Sequence, residues 1–214
     1  MLVRDILSSA GRPDMDQLYI AAESQAGYFT AAQARQAGFS RNLVLHYING
    51  GRFLRVRRGV YRLRHFPNSP HEDVMAAWLS VGRGCVVSHD TALDLHGLTD
   101  LIPAAIHLSV ARAQRSLPKF PGVIVHTTRW PLGEGQTALR EGLPVTAVER
   151  TIVDLSQASW FPPDQLQVAV TVALHQDVTT AHRLREAAAA RSPRAAQQVE
   201  ELIARGQRHE LVPA

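Results

Sequence analysis

The sequence predicts an α+β fold in two modules, residues 1–66 and 70–214. Three observations carry this reading. Two capped helical segments are separated only by Gly38-Phe39-Ser40, a connection so short that the helices must cross rather than run on. Arginine and apolar residues then alternate from Arg52 to Leu63 around Arg57-Arg58-Gly59, the pattern of a β-hairpin whose glycine takes a positive φ. Past the proline-bearing segment 65–71, HFPNSPH, short apolar runs alternate with longer helical stretches. The order helix, helix, tight turn, helix, hairpin in the first module is that of a winged helix-turn-helix. The second module reads as a small sheet with several helices.

Taken in order, residues 1–15 form a loosely held start, with Gly11-Arg12-Pro13-Asp14 as a turn. Asp16 is placed to cap a helix over 16–26 that buries Leu18, Ile20, Ala21 and Ala22 and ends at Gly27. Thr30 and Gln33 have the spacing of a capping box, opening a helix over 31–37. Ser40 caps a third helix over 41–49, which stops at Asn49-Gly50-Gly51. In the second module, 72–81 reads as a helix with Val74, Met75, Trp78 and Leu79 on one side. Residues 85–87, 106–110 and 123–126 read as strands, with a basic loop holding Arg112, Arg115 and Lys119, and 142–145 as a further short strand. SHDTALDLHGL (88–98) reads as a helix capped by Ser88. Thr146 and Glu149 have the spacing of a second capping box. Helices follow over 164–175, 180–190 and 194–205, with Thr180 and Ser192-Pro193 at two of their starts.

Composition narrows the class. Of 214 residues, 45% are hydrophobic, enough for a packed core and unlike a disordered chain. No run of about 18 apolar residues exists, and the N-terminal stretch lacks the apolar segment of a signal peptide. With Cys85 the single cysteine, no intrachain disulfide can form, which fits a reducing cytoplasm. The net charge of +4 is unevenly placed. Residues 1–66 carry +6, and the segment from Arg41 to Arg64 holds seven arginines and no carboxylate. A basic module ahead of a near-neutral one points to phosphate as the partner.

The placement of these charges suggests how duplex DNA is held. With Val44 and Ile48 packed inward, flanked by Leu43 or Tyr47, the third helix turns Arg41, Asn42, His46 and Asn49 outward. Arginine can donate to both acceptors of guanine, and asparagine matches adenine. Ser40 and the free amides at the helix start suit a phosphate. Arg52, Arg55, Arg57 and Arg58, on or near the hairpin, suit the neighbouring backbone. Leu45 and Tyr47 do not fit this picture, being large apolar side chains near the expected outer face. A protein-binding module whose basic hairpin holds RNA or a phosphorylated surface, with a partner-binding second domain, is the alternative reading. An enzyme acting on nucleic acid is a third.

The motifs themselves carry a resemblance. YFTAAQARQAGFSRNLVLHYINGGRFLRVRRGVYRL (28–63) resembles the N-terminal winged helix of AbiEi-type antitoxins, through Phe29-Thr30-x-x-Gln33, Gly38-Phe39-Ser40, Gly51-Arg52-Phe53 and Val56-x-Arg58-Gly59-Val60-Tyr61. VVSHDTALDLHGL, IHLSV, GVIVH and GLPVTAVERTIVDL resemble the blocks that follow in that family, so that the resemblance spans about 16–205. It implies a DNA-binding antitoxin that binds its own promoter and represses its type IV operon; because a single recognition helix often acts in pairs, a repeated or palindromic site and a homodimer on it are expected. It also implies a nucleotidyltransferase-like toxin as functional partner, opposed without need of a tight complex. The family often has basic residues at the positions of Leu45, His46 and Tyr47, so no base contact carries over to those three. After residue 160 there is no Asp…Glu-x-Lys set of the kind found in relatives with a nuclease domain. The expectation is a regulator, not an enzyme, with no cofactor.

Other constellations in the second module read as structural. His89, Asp90, Asp94 and His96 are all metal-ligand types, but His89 and His96 stand two turns apart on a helix, about 10 Å along its axis, and make no compact trio like H-E-x-x-H. His107 and His126 fall in strands and are expected to be satisfied there. No metal site is therefore expected. Arg150 and Asp154, at i,i+4, read as a structural ion pair.

Overall fold

Helix α1 (Met15–Glu23) starts one residue earlier than the sequence pattern indicates. Its N-cap is Asp14, whose carboxylate accepts from the Gln17 amide at 2.9 Å; Asp16 lies within the first turn. Leu18 and Ala22 are fully buried, whereas Ile20 is 68% exposed. Successive helical residues are about 100° apart, which turns Ile20 roughly 200° away from Leu18. The computed structural model describes residues 12–82, 84–114 and 117–209. The expected loose start at 1–11 and Arg115 of the basic loop lie outside them.

Gly27 follows α1 with φ +82, and a β-carbon there would stand 2.4 Å from Cγ of Phe66, so only glycine fits. The chain then enters strand β1 (Tyr28–Thr30), helix α2 (Ala31–Gln36) and helix α3 (Arg41–Asn49), followed by strands β2 (Phe53–Arg57) and β3 (Val60–Leu63). The Thr30–Gln33 capping box forms in both directions. Between α2 and α3 the Phe39 amide donates to the Ala34 carbonyl and the Gly38 amide to that of Arg35, with Gly38 at φ +80. This is a Schellman ending, and its apolar contact joins buried Phe39 to buried Ala34. The turn is thereby fixed by local hydrogen bonds.

The three strands form an antiparallel sheet in the order β1-β3-β2. β1 is too short for alternation to announce it, and it exists because Phe29 and its neighbours pair with β3. Arg58-Gly59 is the hairpin loop, and the register shifts between Arg55 and Arg57, a bulge that leaves Val56 41% exposed. One sheet face sends Phe29, Phe53, Tyr61 and Leu63 into a core with Leu18, Ala34, Phe39 and Val44. Helix α4 (Glu72–Val81), assigned to the second module by the sequence pattern, instead packs on this sheet. Buried Arg62 ties it there, donating to Glu72, Pro67 and Asn68, each at 3.0 Å. The chain accordingly divides into compact units between positions 83 and 84, later than the proline-bearing segment suggests.

The second unit is built on a mixed sheet of five strands, β4 (Cys85–Val87), β5 (Ile106–Ala111), β6 (Val123–Thr128), β7 (Thr137–Arg140) and β8 (Leu143–Thr146), in the order β6-β5-β4-β8-β7. β7 is not evident from the sequence, since it is a short edge hairpin arm with two exposed residues. Helices α5 (His89–Leu95), α6 (Val148–Ser156), α7 (Pro163–His175), α8 (Ala181–Arg191) and α9 (Pro193–His209) pack around an apolar core that includes Leu93, Ile152, Leu155, Leu184, Val199 and Ile203. Two expected caps differ. Ser88 occupies the N-cap position of α5 without a capping hydrogen bond. The second capping box does not form, because Thr146 is still paired within β8 and its hydroxyl meets Thr151 at 2.6 Å. Glu149 instead accepts from Thr179 and pairs with Arg183.

Phe53 lies among Phe29, Phe39 and Tyr47, at ring separations of 4.9, 6.0 and 5.0 Å. Phe53→Ala should destabilise the first unit by about 3–5 kcal/mol. Urea unfolding measures the loss, and amide hydrogen exchange should confine it to residues 15–81.

Candidate nucleic-acid interface

Helix α3 presents an exposed stripe that is polar except at Leu45. Ser40 accepts from the Leu43 amide at 3.2 Å and fixes the helix start. Val44 is buried, while Leu43, Tyr47 and Ile48 pack partly against the core. That leaves Ser40, Arg41, Asn42, Leu45, His46 and Asn49 exposed. Asn42, Leu45, His46 and Asn49 follow the i, i+3, i+4, i+7 spacing of one helix face.

The two residues that did not fit from sequence separate here. Tyr47 is an inward residue, stacked on Phe53 at 5.0 Å and edge-on to Phe39 at 5.6 Å. Leu45 stays on the outer stripe, 43% exposed. Since Tyr47 and Leu45 lie about 200° apart around the helix, they cannot share a face.

The hairpin carries the cations. Arg52, Arg55 and Arg58 are exposed and Arg57 is half-buried. The Arg52 guanidinium lies 5.4 Å from the centre of the Tyr47 ring, which links the start of the hairpin to the inward face of α3. Arg62 does not belong to this set, because Glu72 neutralises it in the interior. The seven arginines therefore include one with a structural role. The exposed ones stand on a surface whose own segment supplies no carboxylate.

The second unit holds a separate polar region. Arg150 and Asp154 form a buried pair at 2.7 Å, and Arg150 also donates to Pro131, Gln136 and Thr128. The pair lies within α6, and the other three contacts tie α6 to the end of β6 and the β6–β7 connection. The residues of SHDTALDLH scatter as their spacing indicates, with His96 reaching the Thr146 carbonyl at 2.8 Å. His89, however, joins His107 and His126, which the strands were expected to satisfy locally. His89 and His126 stack with ring centres 3.8 Å apart, and Nε2 of His126 lies 2.9 Å from Nδ1 of His107. Burial pushes His89 down to about 2, and His107 and His126 to about 4. Burial also raises Asp90, beside His107, to about 6. Among the described residues these three histidines are the group arranged to hold a metal ion. No signal in the sequence joins them, since they come from three different elements.

Residues 16–64 match the family model of the transcriptional regulator, AbiEi antitoxin. The resemblance drawn from the motifs at 29–61 is borne out over that stretch, which covers 49 of the 214 residues. No curated protein matches the chain. Its fold is similar to the crystal structure of RV2827C protein from Mycobacterium tuberculosis, with a TM-score of 0.57 and 16% identity, over 89% of this chain and 76% of that one. No helix among the described residues is long and apolar enough to cross a membrane.

The histidine values imply a pH dependence of stability. A histidine held below its ordinary value of 6.5 binds fewer protons folded than unfolded between the two values, so acid favours the unfolded chain. Asp90 acts in the opposite sense between about 6 and its ordinary 3.8, where the folded form binds the extra proton. With three histidines against one carboxyl, the second unit should lose stability as pH falls from 6.5 towards 4. Thermal unfolding should show a melting temperature several degrees lower at pH 4.5 than at pH 7, and a smaller drop in His126→Gln.

Proposed function

We propose that this protein is a DNA-binding antitoxin and autorepressor of a type IV toxin–antitoxin operon, its first unit acting as a winged helix-turn-helix. The observation that carries the reading is the exposed stripe of α3 flanked by an arginine-bearing hairpin, within a segment matching the AbiEi antitoxin regulator family. In this reading α3 enters the major groove. Arg41 and Asn42 meet base edges, the first turn and Ser40 receive a phosphate, and His46 lies along the groove floor. Leu45 packs on a thymine methyl, an apolar contact available in that groove. The hairpin follows the adjacent backbone, with Arg57 and Arg58 at its loop end, Arg55 along β2 and Arg52 at its base on phosphates. The target is the operon's own promoter, bound at a repeated or palindromic site by two copies. The toxin opposed is nucleotidyltransferase-like. The protein works as a regulator in the cytoplasm, without catalysis and without a cofactor in that role.

The roles of the two arginine groups differ, and so do their expected defects. Fluorescence anisotropy on upstream duplex DNA should give a slope of log K against log salt of about −4 to −5, as about five phosphate contacts require. Arg58→Ala should make that slope shallower by about one and weaken all sequences alike. Arg41→Ala should cost about 1–3 kcal/mol on the cognate site and narrow the gap to random duplex. Unchanged affinity in both variants overturns the assignment of contacts. Binding to RNA with none to duplex at low salt favours instead a basic RNA- or phosphate-binding module.

A further inference from the structure

We infer that His89, His107 and His126 form a binding site for one divalent transition-metal ion of the zinc class. This inference is independent of the DNA-binding reading, since the three residues belong to the second unit.

The site is assembled by the sheet. β5 and β6 run parallel, with Ser109 opposite His126 and His107 opposite Ile124. Side chains two apart on a strand share a face, so His107, Ser109 and His126 project from the same side. His89 enters from the first residue of α5, directly after β4. The three offer one ring nitrogen each, all within 4.8 Å of one another, the closest pair at 2.9 Å. Tetrahedral zinc, with bonds of about 2.0–2.1 Å, needs nitrogens about 3.3–3.4 Å apart. The 2.9 Å pair is shorter than that value and every pair is within 4.8 Å, so binding an ion requires the His107 and His126 nitrogens to part by about 0.5 Å.

Supporting groups are already in place. Ser109 donates to the Ser88 hydroxyl at 2.8 Å, and Ser88 lies 2.9 Å from Nδ1 of His89. This contact orients the ring and explains why Ser88 does not cap α5. The Asp90 carboxylate lies 3.6 Å from Nδ1 of His107, the same nitrogen that faces His126, and so stands beside the ligand position rather than behind the ring. His89 also holds a left-handed backbone, φ +58, unusual for a side-chain-bearing residue at the start of a helix. Strain of this kind persists where surrounding structure imposes it and collects at functional sites.

The donor set selects the ion. Three uncharged imidazoles, with no thiolate among them, suit zinc, cobalt, nickel or copper and disfavour magnesium or calcium. Three protein ligands leave a fourth position for water or an incoming group. His89 and His126 line a groove of about 420 Å³ with Thr128, Asp154 and Trp160, so that position is reachable from solvent.

The test uses the full chain, stripped with chelator and titrated with zinc and with cobalt. One equivalent should bind, cobalt should develop the intense visible bands of a tetrahedral nitrogen site, and zinc should raise the melting temperature. His126→Gln and His89→Gln should each weaken binding by at least about 100-fold, given that lost outer partners alone cost 10–100-fold. His182→Gln, at an exposed position, should leave it unchanged. Circular dichroism checks that each variant is folded. His126 is half-buried and so remains informative if His89→Gln does not fold, while the wild-type cobalt spectrum needs no variant. Absence of binding in the wild type, or equal affinity in wild type and both folded histidine variants, overturns the proposal.

Discussion

The aromatic cluster around Phe53 is the contact on which the first unit's working surface depends. Phe53 begins the hairpin, Phe29 lies in β1, Phe39 closes the turn between α2 and α3, and Tyr47 belongs to α3 itself. One buried ring at the start of the hairpin thus meets rings from β1, from the turn between α2 and α3, and from α3. Aromatic rings bury large areas with few rotatable bonds, so a cluster of four holds helix and hairpin at one attitude. The polar residues outside can then vary without disturbing the frame. Tyr47 also serves both sides of this arrangement, with one face on Phe53 and Arg52 near its ring.

Charge in this protein follows burial. Arg62 and Arg150 lie inside, and each is paired with a carboxylate and with uncharged acceptors, although Nε of Arg62 is buried without a partner. Removing one partner from such a group leaves a buried charge uncompensated, which costs far more than the pair contributes. Arg41, Arg52, Arg55 and Arg58 stand outside, where water screens them and a phosphate can reach them. The same residue type therefore staples α4 to the sheet at one position and faces solvent at another, and its surroundings alone decide which.

In the second unit the three histidines show how a sheet gathers chemistry that a chain disperses. A parallel β5–β6 pair and the β4–α5 junction bring His107, His126 and His89 to one face. Burial keeps all three uncharged at neutral pH, which is the form that ligates. The neighbouring pair Arg150–Asp154 shows the contrasting case, in which i,i+4 spacing on one helix makes the contact local and readable in advance.

What the sequence determined by itself is what local chemistry decides. The Thr30–Gln33 box, the Gly38 turn, the Ser40 cap and the Arg58-Gly59 hairpin rest on residues within a few positions of one another, and all are found where the pattern puts them. Helices α7, α8 and α9 follow for the same reason, from capping residues, prolines and apolar period. The features that only the tertiary structure decided depend on partners distant in sequence. β1 and β7 are too short to exist without the strands they pair with, and α4 joins the first unit by packing on its sheet, with Val74 to Ala77 buried and Glu72 on Arg62. The Thr146–Glu149 spacing matches a cap, yet both side chains are taken by Thr151, Thr179 and Arg183. Ser88 is drawn to Ser109 and His89 in the same way. Tyr47 turned inward because Phe53 lay behind it, and the histidine trio arose from strand register. Hydrogen-bonding groups and rings go to the strongest partner available in space, and sequence spacing specifies that partner only when it lies within a turn or two.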